Sequence, residues 1–298
     1  MALPESAATS PSVPRQKGWR RWLKIAAVGL LAGYSLMLVL LMLFEEYMIF
    51  FPQRHPVGSW RTEGMGFPVE DANFAAADGT QLHGWYVPHD QPRAYVLFSH
   101  GNGGNLTNRW QMLGQLHQLG LAVLIYDYRG YGRSQNSPPN EARILADARA
   151  AQAWLCTRAG ISPKDVVHLG ESLGGGVAVD LAANDGARGL ILLSTFTSLP
   201  EIAARHYPFF PVRFLMRNRL DSLSKIGRYQ GPLLSAHGDT DDLVPYEFGR
   251  RLFDAAPGRK QFVTMSGYGH NEDPPEFYRA VDTFIAELEA GSDAAAAP

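Results

Sequence analysis

The sequence is poor in cysteine and in charged residues. Its single cysteine, Cys156, excludes an internal disulfide and any metal site built from several cysteines. Only 19% of its 298 residues are charged and 46% are hydrophobic, which excludes a disordered chain. The 27 basic and 29 acidic residues leave a net charge of −2. Since no overall field draws such a chain towards nucleic acid, we expect no nucleic-acid partner.

One long segment carries no charge at all. Residues 25–44 read IAAVGLLAGYSLMLVLLMLF, about the 20 apolar residues that cross a bilayer as a helix. A core helix of a soluble protein would keep a polar face, and this segment has none. A cleavable signal peptide would have a shorter apolar region that ends in small residues, whereas Phe44 precedes Glu45 and Glu46. The sequence therefore predicts an uncleaved transmembrane signal anchor at 25–44.

Charges on the two sides of this segment predict its orientation. Five Lys and Arg residues lie between positions 15 and 24, and two glutamates follow the apolar run. Because basic residues stay on the cytoplasmic side, residues 1–24 are predicted to be a cytoplasmic tail. The rest of the chain then lies across the membrane, in the periplasm if the membrane is a bacterial inner membrane. We also expect residues 291–298 to form a disordered tail.

The remaining sequence alternates short apolar runs with helical patterns, which predicts one α/β domain over 50–290 with a mostly parallel sheet and helices on both faces. The expected strands are 84–87, 94–99, 123–127, 166–170, 190–194, 233–237 and 261–265. The expected helices are 109–119, 141–159, 173–183, 246–256 and 275–290. Residues 195–230 are rich in proline and aromatics and form either a lid or an ordinary pair of surface helices.

A glycine-flanked serine follows one of the predicted strands. The pentapeptide GESLG around Ser172 has the G-x-S-x-G form, between the apolar run 166–169 and a helical pattern. The glycines allow a sharp turn from strand to helix that exposes the serine hydroxyl. Ser172 is therefore predicted to be a nucleophile rather than an ordinary turn serine.

A serine nucleophile needs a base and an acid, which follow it in the chain in this kind of turn. Of the histidines after Ser172, His270 lies in a glycine-hinged loop after the last predicted strand, so it is the expected base. The acid is expected among Asp239, Asp241 and Asp242, which follow the preceding strand. Their spacing alone does not distinguish these three aspartates.

An oxyanion hole is the last component that this chemistry requires. One donor is the main-chain N–H of the residue after the nucleophile, Leu173. The other is expected from the glycine-rich loop at 100–105, which follows the strand at 94–99. A phosphate-binding loop is a weaker interpretation, because the spacing of these glycines fits neither the dinucleotide nor the P-loop motif.

Five motifs, HGNGGN, DYRGYGRS, GESLGG, HGDTDDLVP and GYGHNE, occur in this order and resemble those of the α/β-hydrolase superfamily. More narrowly, the chain is similar to the membrane-anchored ABHD-type serine hydrolases related to the fungal bud-emergence protein. The resemblance implies the α/β-hydrolase fold, with Ser172, Asp241 and His270 as the catalytic triad. It also implies Asn102 as the second oxyanion donor. Gly103 stands where the family commonly has a small residue.

The expected function is that of a membrane-anchored serine hydrolase that cleaves acyl esters or thioesters through an acyl-enzyme. We expect a small-molecule, lipid or acylated substrate, and no metal or cofactor. A serine peptidase of the same fold is one alternative. A non-catalytic scaffold is the other, although it would have no need for an intact triad.

Overall fold

The structure is a computed structural model that describes residues 18–296, with side chains up to position 291. Most of the predicted cytoplasmic tail, residues 1–17, and the last two residues of the predicted C-terminal tail lie outside the described residues. The chain divides into two units, residues 1–44 and residues 45–298.

The described part of the first unit contains one apolar helix, α1, at Gly18–Leu43. None of its residues is buried, and its most apolar 18-residue window has a mean hydropathy of 2.3. At about 1.5 Å per residue, the helix is long enough to cross a bilayer. A helix of this length and composition near an N-terminus serves either as a membrane anchor or as a signal sequence.

The second unit is built on an eight-stranded sheet. The strands are β1 Glu70–Ala75, β2 Gln81–Val87, β3 Ala94–Ser99, β4 Leu121–Tyr126, β5 Val166–Glu171, β6 Gly189–Leu193, β7 Leu233–Gly238 and β8 Lys260–Met265. Their order in the sheet is β1-β2-β4-β3-β5-β6-β7-β8. The pairs β1–β2 and β2–β4 are antiparallel, and all the other pairs are parallel. The predicted mostly parallel sheet is therefore confirmed.

Besides two short 3₁₀ helices, at Leu106–Arg109 and Pro163–Asp165, the described part of the second unit contains nine α-helices. They are α2 Glu45–Ile49, α3 Trp110–Gln118, α4 Glu141–Ala159, α5 Leu173–Asp185, α6 Leu199–His206, α7 Val212–Leu215, α8 Ser222–Ile226, α9 Tyr246–Ala255 and α10 Pro275–Ala296.

Helices cover both faces of the sheet. In β3, Val96 and Phe98 pack with α3 and α10, whereas Leu97 between them packs with α4 and α5 on the opposite face. Both faces of the central strands are therefore buried, which explains why these strands are continuous apolar runs. Because the strands are parallel, the loops after β3, β5, β7 and β8 meet at one edge of the sheet.

The largest differences from the predicted elements occur at the two ends of this unit. Strand β1 is not among the predicted strands, because this edge strand reads EDANFA and only Ala72 in it is buried. Helix α10 continues to Ala296, although a disordered tail was expected from residue 291. Alanine has the highest helix propensity, which favours this continuation.

The segment predicted as a lid contains three short helices, α6, α7 and α8, between β6 and β7. Ser198 caps the start of α6, since its side chain accepts a hydrogen bond from the N–H of Glu201. Phe209, in the connection between α6 and α7, and Phe214, in α7, are 86% and 88% exposed. The segment therefore presents apolar rings to solvent, and its function as a lid stays a prediction.

Candidate active site

Ser172 lies at the turn between β5 and α5, with φ +50° and ψ −113°. The glycines on both sides of it are required by close packing. A Cβ atom at Gly170 would lie 2.5 Å from the carbonyl oxygen of Gly174, and one at Gly174 would lie 1.9 Å from that of Ser99. The turn therefore needs glycine at both positions, and it holds Ser172 in a strained conformation at the end of the strand.

The loops after β7 and β8 bring two of the predicted site residues to this serine. His270 Nε2 lies 2.8 Å from Ser172 Oγ. His270 Nδ1 lies 2.7 Å from Asp241 Oδ2. The three side chains thus form one continuous hydrogen-bonded chain, although they are up to 98 residues apart in the sequence.

Asp241 is held as an ionised, fully bonded carboxylate. Its Oδ1 accepts hydrogen bonds from the N–H groups of Leu243 and Val244, at 3.0 and 2.8 Å. Burial acts to raise the pKa of Asp241, but hydrogen bonds from His237 and His270 outweigh it and hold the pKa well below its usual range. Because an ionised carboxylate only accepts, His270 donates to it from Nδ1, and Nε2 is left to accept from the serine.

The structure distinguishes Asp241 from its neighbours. Asp239 is exposed, and its Oδ1 accepts from the N–H of Gly267 at 2.6 Å, in the loop that leads to His270. Asp242 is exposed and forms no side-chain hydrogen bond with the described part of the chain. Of the three aspartates, only Asp241 contacts His270.

His237 also contacts Asp241, which the sequence analysis did not anticipate. Its Nε2 donates to the carbonyl of Val244 at 2.8 Å and lies 3.2 Å from Asp241 Oδ2. The ring is fully buried, and Gly249 leaves it room, since a Cβ at that position would lie 2.2 Å from His237 Nδ1. The signal was present in the sequence, since His237 is the first residue of the HGDTDDLVP motif.

The two predicted oxyanion donors lie at the carboxyl ends of neighbouring strands. Leu173 begins α5, and Asn102 follows β3. Among residues 18–296, neither main-chain N–H has a hydrogen-bond partner. The side chain of Asn102 is fixed, since its Oδ1 accepts from Gly103 N at 2.9 Å and from Tyr131 Oη at 2.8 Å.

A further segment holds this loop, residues 45–54, which we call the strap. Asn102 Oδ1 accepts from Phe51 N at 3.1 Å, and its Nδ2 donates to the carbonyl of Ile49. Gln53 N donates to the carbonyl of Gly104 at 2.9 Å. This arrangement leaves no pattern in the sequence, because main-chain groups of the strap form most of these bonds.

Glu45, the first residue of the strap, is only 5% exposed. Its Oε1 accepts from the main-chain N–H groups of Arg217 and Asn218, at 3.0 and 2.8 Å, and from Asn218 Nδ2 at 3.0 Å. A buried carboxylate is tolerated where such donors surround it. The strap is therefore fixed at the segment between α7 and α8 as well as at Asn102.

An ion pair connects the serine turn with the glycine-rich loop. Arg109 donates to both carboxylate oxygens of Glu171, at 2.9 and 3.0 Å, and both side chains are 13% exposed. Glu171 also accepts from the N–H of Gly101 at 3.2 Å. Burial acts to raise the pKa of Glu171, but Arg109 outweighs it and holds the pKa below its usual value. The pair therefore stays ionised and braces the loops that carry Ser172 and Asn102.

A cavity of about 380 Å³ opens beside His270, between the glycine-rich loop and the loop after β8. Arg109 and Glu171 are in its wall. No group of three or more histidine, cysteine or acidic side chains within residues 18–291 is arranged to hold a metal ion.

Comparison with known sequences identifies similar proteins. Residues 90–220 match the family described as Serine aminopeptidase, S33, a stretch that includes Ser172 and ends before Asp241 and His270. An uncharacterized protein of Mycobacterium tuberculosis is 38% identical over 251 residues, which are 83% of this chain and 87% of the relative. The alpha/beta hydrolase domain-containing protein WAV2 of Arabidopsis thaliana is 28% identical over 250 residues, 76% of this chain and 80% of the relative.

Solved structures share the architecture at low sequence identity. An esterase of Pyrococcus furiosus superposes with a TM-score of 0.67 at 20% identity, over 80% of this chain and 99% of the esterase. Est1E from Butyrivibrio proteoclasticus, solved with ferulic acid bound, gives a TM-score of 0.63 at 24% identity, over 74% of this chain and all of the other. At these identities the likeness establishes the fold, and the activity has to be argued from the residues.

Proposed function

Because this chain belongs to the α/β-hydrolase superfamily and is a hydrolase, we propose that it cleaves acyl esters or thioesters with Ser172 as nucleophile, His270 as base and Asp241 as acid. The observation that carries the proposal is the hydrogen-bonded chain from Ser172 through His270 to Asp241, with both links shorter than 3 Å. A nucleophile, a base and a group that orients the base are the three components that acyl transfer needs.

The reaction follows from the positions of these atoms. Ser172 Oγ attacks the acyl carbon while His270 Nε2 takes its proton, and the carbonyl oxygen becomes an oxyanion between the N–H groups of Leu173 and Asn102. His270 then gives the proton to the leaving alcohol or thiol, and the acyl group stays on the serine. Water attacks this acyl-enzyme with His270 again as base, which releases the acid and restores Ser172.

Asp241 acts through His270. Its carboxylate accepts from Nδ1–H, so the imidazole keeps the tautomer that can take a proton at Nε2. The carboxylate also stabilises the imidazolium that forms during each proton transfer. Since hydrogen bonds hold the pKa of Asp241 well below its usual range, it stays ionised at any pH at which the histidine works.

Helix α1 is proposed to be the membrane anchor, with the N-terminus in the cytoplasm and the catalytic unit in the periplasm or another extracytoplasmic space. The basic residues before the apolar run at 25–44 and the acidic residues after it support this orientation. The exposed rings of Phe209 and Phe214 support a lid that meets lipid or acylated substrates.

A serine peptidase is the second candidate, because the matched family is described as a serine aminopeptidase. Amides react through the same steps, so the triad does not separate the two activities. Aminoacyl anilides and acyl esters with similar chromogenic leaving groups would separate them, by comparison of kcat/KM on one preparation. A faster anilide reaction would favour the peptidase.

The first prediction tests the chemistry directly. The full chain in detergent micelles is expected to be labelled by a fluorophosphonate to one adduct per chain, because a serine activated by histidine attacks phosphorus as it attacks carbon. It is also expected to cleave nitrophenyl esters with acyl chains of eight carbons or more faster than acetate. Intact-mass and peptide mass spectrometry locate the adduct. An unlabelled chain would contradict the proposed function and favour a non-catalytic scaffold, and a preference for acetate would contradict the lipid substrate alone.

A further inference from the structure

The cavity beside His270 has a polar wall. Of its fourteen lining residues, only Met112 and Leu193 carry apolar side chains of any size. The amide side chains of Gln53, Gln111 and Asn271 lie in the wall and form no hydrogen bond with other described residues. An apolar group placed there would remove water from these amides without replacing its hydrogen bonds. The cavity therefore favours a ligand that carries hydroxyl groups.

The charge of the wall is negative. Arg109 is its single cation, and this guanidinium is already paired with Glu171. Glu272 and Asp273 add two further acidic groups. Burial raises the pKa of Asp273, but the wall stays negative even when that carboxyl is protonated. A phosphate or carboxylate would therefore be repelled from this cavity.

The position of the cavity indicates which part of a substrate it receives. His270 has to deliver its proton to the leaving oxygen, so the leaving group lies against the histidine. His270 and the three residues after it are in the wall of the cavity. A volume of about 380 Å³ is at the small end of ligand sites, which are roughly 300–1,000 Å³.

We infer that this cavity is the subsite for the alcohol part of the substrate, and that the substrate is an ester of an uncharged polyhydroxy alcohol such as glycerol or a sugar. Phosphate-bearing esters and coenzyme A thioesters are disfavoured by the negative wall. The inference rests on the proposed function and narrows it from esters or thioesters to one class of ester.

The test compares octanoyl compounds that differ only in the leaving group. The full chain in micelles is given 1-octanoylglycerol, 6-O-octanoylglucose, ethyl octanoate, 1-octanoylglycerol 3-phosphate and octanoyl coenzyme A. We expect kcat/KM for the glycerol or the glucose ester to exceed that for ethyl octanoate about tenfold, the effect of one or two hydrogen bonds. The two anionic compounds are expected to be slower still. The ratio of kcat/KM for the glycerol ester to that for the glucose ester shows which polyol is preferred.

The effect of the negative wall can also be tested with a variant that is expected to gain activity on the phosphate ester. Gln111→Lys places a cation in the wall and is expected to raise kcat/KM for the phosphate ester relative to 1-octanoylglycerol about fivefold. Gln91→Lys adds the same charge at an exposed residue outside the cavity and is expected to leave the ratio unchanged. A misfolded variant cannot produce such a gain.

Equal rates for the ethyl and polyol esters would overturn the inference, as would a phosphate ester or thioester that reacts faster than both polyol esters. The proposed function would survive either result, because esters would still be cleaved. It fails if the fluorophosphonate does not label the chain.

The contacts of the strap with the glycine-rich loop support a second inference, which does not depend on the cavity. Its main chain fixes the Asn102 side chain, and its first residue, Glu45, is buried against the segment between α7 and α8. Oxyanion donors act only if they are fixed before the reaction. We propose that the strap is a positioning element of the active site, which keeps the Asn102 N–H directed at the oxyanion.

Glu45→Ala in the full chain is expected to lower kcat about tenfold with KM within twofold, because a misplaced donor weakens the transition state rather than substrate binding. Glu45→Gln is expected to regain most of this loss, since its amide oxygen still accepts from Arg217 and Asn218. The matched control is Glu46→Ala, whose glutamate is less buried and makes no side-chain hydrogen bond to the described residues. Rates are normalised to active sites titrated with the fluorophosphonate.

If Glu45→Ala does not fold, Asn102→Ala breaks the same connection from the side of the loop and is expected to give the same loss of kcat. An alkyl boronic acid, which mimics the tetrahedral intermediate, should bind more weakly to either variant by the factor lost in kcat/KM. Equal kcat for the Glu45 and Glu46 variants, or a rise in KM that accounts for the loss, would overturn the proposal.

Discussion

Replacing Ser172 with alanine is expected to lower kcat for ester cleavage by about six orders of magnitude and to abolish fluorophosphonate labelling. Alanine lacks the Oγ that forms the acyl-enzyme, and in a triad the loss of the nucleophile removes almost everything that the three groups contribute together. The fold should be retained, since alanine and serine bear similar strain at φ +50°. The measurements are kcat with a saturating long-chain ester, intact-mass labelling and the melting temperature.

Ser194 provides a matched control for this variant. It also has a positive φ, +49°, and it follows β6 as Ser172 follows β5. Its hydroxyl is buried, and it has no partner in the described part of the chain. Ser194→Ala should therefore keep kcat within a few-fold and leave stability unchanged or slightly higher. Residual activity in Ser172→Ala, or an equal loss in both variants, would contradict the assignment of the nucleophile.

The serine and the histidine could be located from the sequence because local patterns specify them. The Ser172 turn needs glycine two residues before and two residues after it, and a strand has to precede it, all of which is visible within about ten residues. His270 is marked by a glycine-hinged loop after the last strand. The long elements were predictable for the same reason, as β3 and α4 show by starting and ending at the expected residues.

The other parts of the site depend on contacts between residues that are distant in the chain. The strap binds residues about 50 positions away through main-chain groups, which leave no signature in side-chain patterns. The Arg109–Glu171 pair joins two segments 62 residues apart, and neither residue is unusual in its own segment. Strand β1 escaped prediction because an edge strand can stay polar.

The choice of the catalytic acid also depends on tertiary contacts, although its three candidates lie within four residues of the chain. Asp239, Asp241 and Asp242 are chemically identical, and the spacing of the chain leaves all three possible. Their tertiary contacts separate them, because one carboxylate is buried against two histidines while the other two are exposed. A direct experiment on the three residues therefore tests the part of the site for which the sequence was least informative.

Asp241→Asn is expected to lower kcat about 10⁴-fold with the fold intact. Its neutral amide can direct an NH₂ group at His270 Nδ1, which favours the tautomer that carries its proton on Nε2. That tautomer cannot accept the proton of Ser172, to which Nε2 is hydrogen-bonded at 2.8 Å. The substituted side chain also no longer stabilises the imidazolium. The loss should appear in kcat and in the rate of fluorophosphonate labelling, because both need the proton transfer.

Asp239→Asn and Asp242→Asn are the matched controls, since each removes one negative charge from the same loop. Asp242 has no side-chain bond to lose within the described residues, so its variant should keep full activity. Asp239 accepts from Gly267 N, and the amide oxygen of asparagine can still accept there, so kcat should fall only a few-fold. A loss in either control as large as that of Asp241→Asn would contradict the assignment. Because local charge changes equally in all three variants, a large effect at Asp241 alone comes from the buried contacts that only this carboxylate makes, with His270 and His237 and with the N–H groups of Leu243 and Val244.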